Sequence, residues 1–480
     1  MKSKNVRTRF APSPTGFVHV GNLRTALFAW LLAKNSGGQF ILRIEDTDQK
    51  REVLGAIEHL MLALRSLGIT YDEGPELSGP NEPYIQSQRL DIYKKWANQL
   101  IQSGRAYADP YSSEEIETFR AECIKNKKPF LFRNYRPDKF IKWDGSTALR
   151  FKSDPKDYKW HDEVMGDLSA KKDAVDDFIL IKSDGFPTYN FAHIIDDTEM
   201  KITHVIRGQE FISSTPNYLN LYEALKVKPP KFASMPHIMA ESGNKKLGKR
   251  DGAKDVLEYF REGYLKETIL NFIASMGWND GTEQEIFTVD DLIEKFSLDR
   301  VQQSGARFDN KRLLWMNGQW IRKIDPETLL ERAEDFWPNS ALDHGLGRKR
   351  EVLAIVQDRL KTLTDLPVMT NYFFETPSIN WSLIDENKFL SALPKKEIKK
   401  LISHAVEKLE KSKFDDENLE KTLNKLIVEL NSKPAILFSL IRTVVSWAPF
   451  SPALNQTLRT IGKEESILRL KSAIDYLDQN

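Results

Sequence analysis

Four hundred and eighty residues exceed what one ordinary hydrophobic core holds, and at ~100–200 residues per domain roughly three to five domains are expected. Seventy Lys and Arg stand against 69 Asp and Glu, so the net charge is only +1. That balance argues against a polybasic nucleic-acid coat and an acidic tail, yet leaves room for local basic patches. With 40% hydrophobic and 29% charged residues the chain is globular, and 24 Gly and 22 Pro exclude a collagen-like one.

Residues 6–11 read as a short strand ended by Pro12 and Pro14. Apolar spacing through Leu23, Ala26, Leu27, Trp30 and Leu31 predicts a helix over 23–35, stopped by Gly37 and Gly38. Residues 39–44 follow as a strand and 52–67 as an amphipathic helix before Gly68, so the start alternates as a βαβ unit should. Residues 106–182 are charged, aromatic and irregular, the texture of an insertion. Strand-like runs resume at 178–181 and 204–206, as if the first fold were picking up again. A basic loop begins near residue 245, with helical segments at 256–264 and 268–276. Beyond residue 324 the pattern is helical nearly throughout, with charge covering one face of 395–409 and of 419–430.

The single cysteine, Cys123, excludes an intrachain disulfide and a Cys-rich zinc knuckle, and suits a reducing compartment as a passive thiol. The basic start runs into Ala11-Pro-Ser-Pro-Thr-Gly16 where a signal peptide needs an apolar stretch, and no apolar run reaches ~18 residues. No membrane span and a cytoplasmic location are therefore expected.

The strongest local signal is Arg9-Phe-Ala-Pro-Ser-Pro-Thr-Gly-Phe-Val-His-Val-Gly-Asn22, a strand that breaks at two prolines and turns into a helix. A helix start offers unpaired N–H groups and a positive dipole end, which suit phosphate. Gly21 lets a ligand approach the backbone, and His19 and Asn22 add side-chain donors. The second signal, Lys245-Lys-Leu-Gly-Lys-Arg-Asp-Gly252, places four cations within six positions. Such a loop could neutralise charge building on a polyphosphate, although a charge run by itself is usually a solvated turn.

Together the two signals resemble the signatures of class I aminoacyl-tRNA synthetases, in His19-Val-Gly-Asn22 and Lys246-Leu-Gly-Lys-Arg250. Arg43-Ile-Glu-Asp-Thr-Asp48, Tyr71-Asp-Glu-Gly-Pro75, Val205-Ile-Arg-Gly-Gln-Glu210, Arg307-Phe-Asp-Asn-Lys311 and Trp315-Met-Asn-Gly-Gln-Trp320 narrow the likeness to the glutamyl-tRNA synthetase family of bacteria and organelles. The resemblance runs from Arg7 to about Arg322 and thins over the C-terminal third.

The resemblance implies an α/β fold: a Rossmann-type parallel-sheet catalytic core, an inserted α/β module and an all-α C-terminal anticodon-binding half. The core is expected over residues 1–84 and 190–232, and the inserted acceptor-stem module over 85–189. A basic loop and stem-contact domain should occupy 233–324, and two helical anticodon subdomains 325–480, divided near 385. It implies His19, Lys246 and Lys249 as catalytic residues, and Gly21, Asn22, Glu210 and Arg250 with His19 and Lys249 around ATP. Arg9, Ala11, Ser13, Glu45, Tyr189, His193 and Arg207 match the glutamate pocket. The chemistry suits these residue types, since arginine pairs bidentately with carboxylates and a carboxylate can hold an ammonium. ATP would bring Mg²⁺ without a dedicated protein cage, no zinc is expected, and the partners would be L-glutamate and tRNA for glutamate, acting on a monomer.

Two departures stand out. Gly248 replaces the family's usual serine, which predicts slower activation, not inactivity; a non-catalytic tRNA-binding paralogue is the remote alternative it invites. Near the C-terminus, Ser432-Lys-Pro-Ala435 leads into Phe438-Ser-Leu-Ile-Arg442 in place of the family's glycine-lysine and Gln-Pro-Leu-Arg stretches. Arg359 matches an arginine that in some members rejects tRNA for glutamine at the anticodon, against the alternative of a non-discriminating enzyme. On the residues alone Asp196 and Asp197 read as anchors of the following loop, and His193 as a core or ligand residue equally.

Overall fold

The computed structural model describes residues 5–77, 79–248 and 254–479. Extended backbone in β1 (Arg7–Phe10) runs into Pro12 and Pro14, which cannot donate to a ladder, and the chain turns into α1 (Val20–Ser36). Gly37 closes α1 at φ 66°, the left-handed conformation that a side chain resists. β2 (Gln39–Leu42) returns parallel to β1, pairing Arg7 with Gln39 and Phe10 with Leu42. The predicted βαβ unit is thus present, with α1 starting earlier than its apolar spacing implied. α2 (Ala56–Leu67) starts later than its pattern, because Gly55 at φ 79° breaks the backbone first.

After α3 (Leu90–Gln102), the irregular stretch folds into β3 (Ala106–Ala108), α4 (Ser113–Lys125), β4 (Leu149–Phe151), β5 (Tyr158–Asp162), β6 (Gly166–Ala170) and β7 (Ile179–Ile181). β3, β4 and β7 form an antiparallel sheet. The parallel pattern then resumes: α5 (Tyr189–Glu199), β8 (His204–Gly208), α6 (Thr215–Leu225) and β9 (Lys231–Met235), with β8 and β9 parallel across α6. The β5–β6 hairpin extends that sheet in the order β6-β5-β9-β8. β1 lies beside β8, where the Thr203 N–H donates to the Arg7 carbonyl at 2.9 Å. β10 (Ile238–Met239) and β11 (Ala306–Arg307) form a short parallel pair, and α7 (Val256–Arg261) follows the basic segment.

One apolar cluster runs from Ile41 and Tyr93 through Leu149, Phe151 and Leu180 to Phe191, Ile195, Val205 and Tyr222. The irregular stretch is therefore stitched into the same core as the parallel strands. Two compact units result, fewer than length alone suggests: Met1–Tyr259 with Ile269–Asn310, and Phe260–Thr268 with Lys311–Asn480.

The second unit is helical among its described residues. Helix Lys395–Lys411 buries Ile398, Leu401, Ile402, Ala405 and Leu409, at three- and four-residue spacing, and turns its lysines outward. These side chains share a core with Leu419, Leu423 and Leu426 of helix Asp416–Glu429 and with Leu437, Ile441 and Val444 of helix Pro434–Ser446. Among the described residues no helix is long and apolar enough to cross a membrane.

Candidate active site

The carboxyl ends of β1, β8 and β9, with the segment after β2, open on one cleft of about 340 Å³, within the range of small-molecule sites. This is where a parallel α/β sheet places ligands, because loops diverge there on either side of a crevice. Arg9, Ala11, Ser13, Glu45, Tyr189 and Arg207 all line it. So do His19, Gly21, Asn22, Glu210 and Lys246. Segments far apart in sequence are thus brought to one place by the parallel register.

The floor is a buried charge network. Arg43, fully buried, donates from Nη2 to Glu45 Oε1 at 2.9 Å and from Nη1 to Asp197 Oδ1 at 2.8 Å, and its Nε lies 3.7 Å from Asp196 Oδ2. Asp197 Oδ1 also accepts from Arg9 Nε at 3.1 Å, while Arg9 Nη1 donates to the Ile206 carbonyl at 3.2 Å. Asp196 accepts from Arg89, Gln86 and Tyr93 at 2.7–2.8 Å. Burial alone would push Asp197 up, but Arg9 and Arg43 bring it down to about 2. Burial prevails at Glu45, which is driven up to about 7 against the pull of Arg43.

Arg207 differs from the other arginines. It is 4% exposed, donates from Nη2 to Thr215 Oγ1 at 2.6 Å, and among the described residues leaves Nε and Nη1 without a partner. Its cation rests over the rings of Phe232 and Tyr218, 4.6 and 5.2 Å from their centroids. Burial lowers its pKa. Buried donors are costly to leave unmade, so a guanidinium with two of them beside a cleft can take an acceptor from outside.

His19 is the N-cap of α1, its Nδ1 accepting from the Gly21 N–H at 3.1 Å. A neutral imidazole that accepts at Nδ1 carries its proton on Nε2 and so offers a donor there. The space freed by Gly21 is used by this ring, not by an approaching ligand. A Cβ there would sit 3.0 Å from His19 Cε1. Gly208 likewise makes room for Glu210, whose carboxyl oxygens would lie 2.2 and 2.5 Å from a Cβ. Met239 bridges Lys246, and the Leu247 N–H donates to the Ile238 carbonyl at 2.8 Å.

Of the other expected site residues, His193 does not line the cleft; it stacks beneath Tyr189 with ring centroids 4.6 Å apart, and its Nδ1 lies 2.7 Å from the Tyr189 carbonyl oxygen. Burial pushes its imidazole down to about 3, so it supports Tyr189 as a neutral ring. Lys249 and Arg250 lie outside the described residues. In the second unit Arg359 is exposed and near Arg442 and Tyr372, whose buried hydroxyl has no partner among the described residues. Asp196 and Asp197, read as loop anchors, instead belong to the network under the cleft. Their signal was available: Tyr189, His193 and Asp197 recur every four residues on one face of α5, and Arg43 and Glu45 alternate like strand residues.

Residues 5–315 match the family described as tRNA synthetases class I (E and Q), catalytic domain, and residues 328–474 match an anticodon binding domain. A glutamate–tRNA ligase of Clostridium botulinum is 39% identical over 496 residues, covering 99% of each chain. One from Dehalococcoides mccartyi is 37% identical over 487 residues, again 99% of each. The crystal structure of a glutamate tRNA ligase from Elizabethkingia meningosepticum, in complex with its amino acid, superposes with a TM-score of 0.89 at 32% identity, over 98% of this chain and all of that one. On the catalytic cleft, the helical second unit and these full-length likenesses, the chain belongs to the class I tRNA synthetases of the glutamate and glutamine (E and Q) family.

Proposed function

We propose that the chain is a glutamate–tRNA ligase whose cleft activates L-glutamate with ATP and passes it to tRNA for glutamate. The observation that carries the amino-acid choice is Arg207, buried with two donors unmade among the described residues. Four guanidiniums, of Arg9, Arg43, Arg89 and Arg207, face three carboxylates, of Glu45, Asp196 and Asp197. The cluster is short of one negative charge. A side-chain carboxylate held by Arg207 and Arg9 supplies it; the neutral amide of glutamine does not. Glu45 then takes the ammonium, which leaves the α-carboxylate free to face the nucleotide.

Chemistry follows from positioning. An α-carboxylate oxygen attacks the α-phosphorus of ATP, forming a C–O–P bond as the bond to the β-phosphate breaks, and pyrophosphate leaves. His19, Asn22 and Lys246, which line the cleft, are assigned as donors to the phosphates, and Glu210 to the ribose or adenine. The terminal ribose hydroxyl of tRNA then attacks the carbonyl carbon and AMP leaves. Mg²⁺ would come on the ATP phosphates as part of the substrate.

The inserted region within 85–189 is assigned to the acceptor end, 233–324 to the stem, and the helices from 325 onward, with Arg359, to the anticodon. Incubation with ATP, glutamate and purified tRNA for glutamate should yield charged tRNA, and Lys249→Ala should remove most of the rate. Charging of another amino acid, or an unimpaired Lys249→Ala, would overturn the reading. Gly21→Ala should push the His19 ring aside and lower kcat/KM for ATP about tenfold, the weight of one misplaced charge-assisted hydrogen bond. Steady-state kinetics with varied ATP measures it.

A further inference from the structure

One imidazole outside the cleft touches both flanks of His19. His59, in the first turn of α2, donates from Nε2 to Asp255 Oδ2 at 2.7 Å, a pair that spans 196 residues and is largely shielded from solvent. The face of the same ring carries Phe17, with centroids 4.4 Å apart and planes at 30°. Asp255 is in turn paired with His19 by an antiparallel backbone bridge, and the next residue's N–H donates to the Val18 carbonyl at 3.1 Å. Its second carboxylate oxygen, Oδ1, accepts from the Leu257 N–H at 3.0 Å and so caps the start of α7.

Among the described residues, two of the contacts that hold the segment 17–19 involve His59: ring contact to Phe17, and a hydrogen bond to the residue that bridges His19. Neither contact is made by a group in the cleft. His59 Nδ1 is buried without a partner among the described residues, so the contact runs through the one N–H at Nε2. A core histidine kept only for its volume would not need that N–H aimed at a carboxylate on a distant segment.

We propose that His59 is a positioning residue for ATP: through Phe17 and Asp255 it fixes the segment before α1 that aims His19 at the phosphates. This rests on the reading of the cleft as the glutamate–tRNA ligase site. Glutamate binding, through Arg9, Glu45 and Arg207, which among the described residues make no hydrogen bond or ion pair with His59, Phe17 or Asp255, should not depend on it.

Two variants of the full chain separate donor from ring. His59→Phe keeps an aromatic ring against Phe17 and loses the N–H; His59→Gln returns an N–H at similar reach. His59→Phe should lower kcat/KM for ATP about tenfold, the weight of one hydrogen bond to a charged group, with KM for glutamate within about twofold. His59→Gln should recover most of that loss, and both should melt with the parent. A His59→Phe enzyme within twofold of the parent for ATP, a His59→Gln no better than His59→Phe, or an equal rise in KM for glutamate would overturn the assignment. Failure of the parent itself to charge tRNA with glutamate would overturn the underlying reading instead.

Discussion

Arg207→Met is expected to raise KM for glutamate roughly a hundredfold and to leave the melting temperature at or above that of the parent. The first half follows from the chemistry of the pair: truncating one partner of a buried, hydrogen-bonded charge pair costs about 3 kcal/mol, roughly two decades in affinity. The second half follows from what the free protein lacks. Arg207 is buried with Nε and Nη1 unmet among the described residues, so without ligand the guanidinium is a desolvated cation held by Thr215 and three aromatic rings. Methionine fills similar space without those orphan donors, and apolar replacements of buried ionic groups are often neutral or stabilising. Function and stability are thus expected to move in opposite directions at this residue. Glutamate-dependent charging and a thermal melt, run side by side, check both. A variant that melts well below the parent with its glutamate KM unchanged would make Arg207 a structural residue.

That contrast marks where reading a sequence stops. The family resemblance assigns Arg9, Glu45 and Arg207 to one pocket on paper, and their residue types suit a dicarboxylate ligand. Which arginine is satisfied by the protein and which is left for a ligand is a matter of distances. Arg9 gives Nε to Asp197 and Nη1 to the Ile206 carbonyl and keeps only part of its fork for a ligand; Arg207 leaves both Nε and Nη1 unmet among the described residues. Nothing in the periodicity of either strand distinguishes them.

Glycines give the same lesson from another side. Gly21 stands at a helix start of the kind that suits phosphate, and open backbone for a ligand is the natural expectation. The space belongs to the His19 ring, and at Gly208 to the Glu210 carboxyl. Both glycines hold a neighbour's side chain in place, a role that depends on rotamers and not on spacing. His59 was illegible for a related reason. On α2 it sits among amphipathic positions, and its partners, Phe17 and Asp255, come from segments that only the folded chain brings near. Helical faces, in contrast, were well written: the buried spacing of Ile398, Leu401, Ile402, Ala405 and Leu409 is a local property.

Glu45→Gln is expected to raise KM for glutamate about a hundredfold above neutral pH and to flatten its pH dependence, since a buried carboxylate that pairs with an ammonium is replaced by a neutral amide. Burial outweighs the Arg43 contact and lifts Glu45 from the ordinary 4.5 to about 7. Below that value the empty cleft holds a neutral acid, which cannot attract the glutamate ammonium; above it, a carboxylate. Since kcat/KM reports the free enzyme, kcat/KM for glutamate should rise with pH through about 7 and then level, while kcat/KM for ATP at saturating glutamate stays flatter. Bound ammonium favours the ionised form, so kcat itself should follow a limb at lower pH than kcat/KM. The introduced amide could still accept from Arg43 through its oxygen, so the network under the cleft keeps that contact and the fold is expected to hold. What is lost is the titrating charge, and with it the limb. The measurement is charging velocity against glutamate concentration from about pH 6 to about pH 8 for parent and variant. A parent profile already flat over that span would place the ammonium on another group, and a limb that persists in Glu45→Gln would assign it to a different acid.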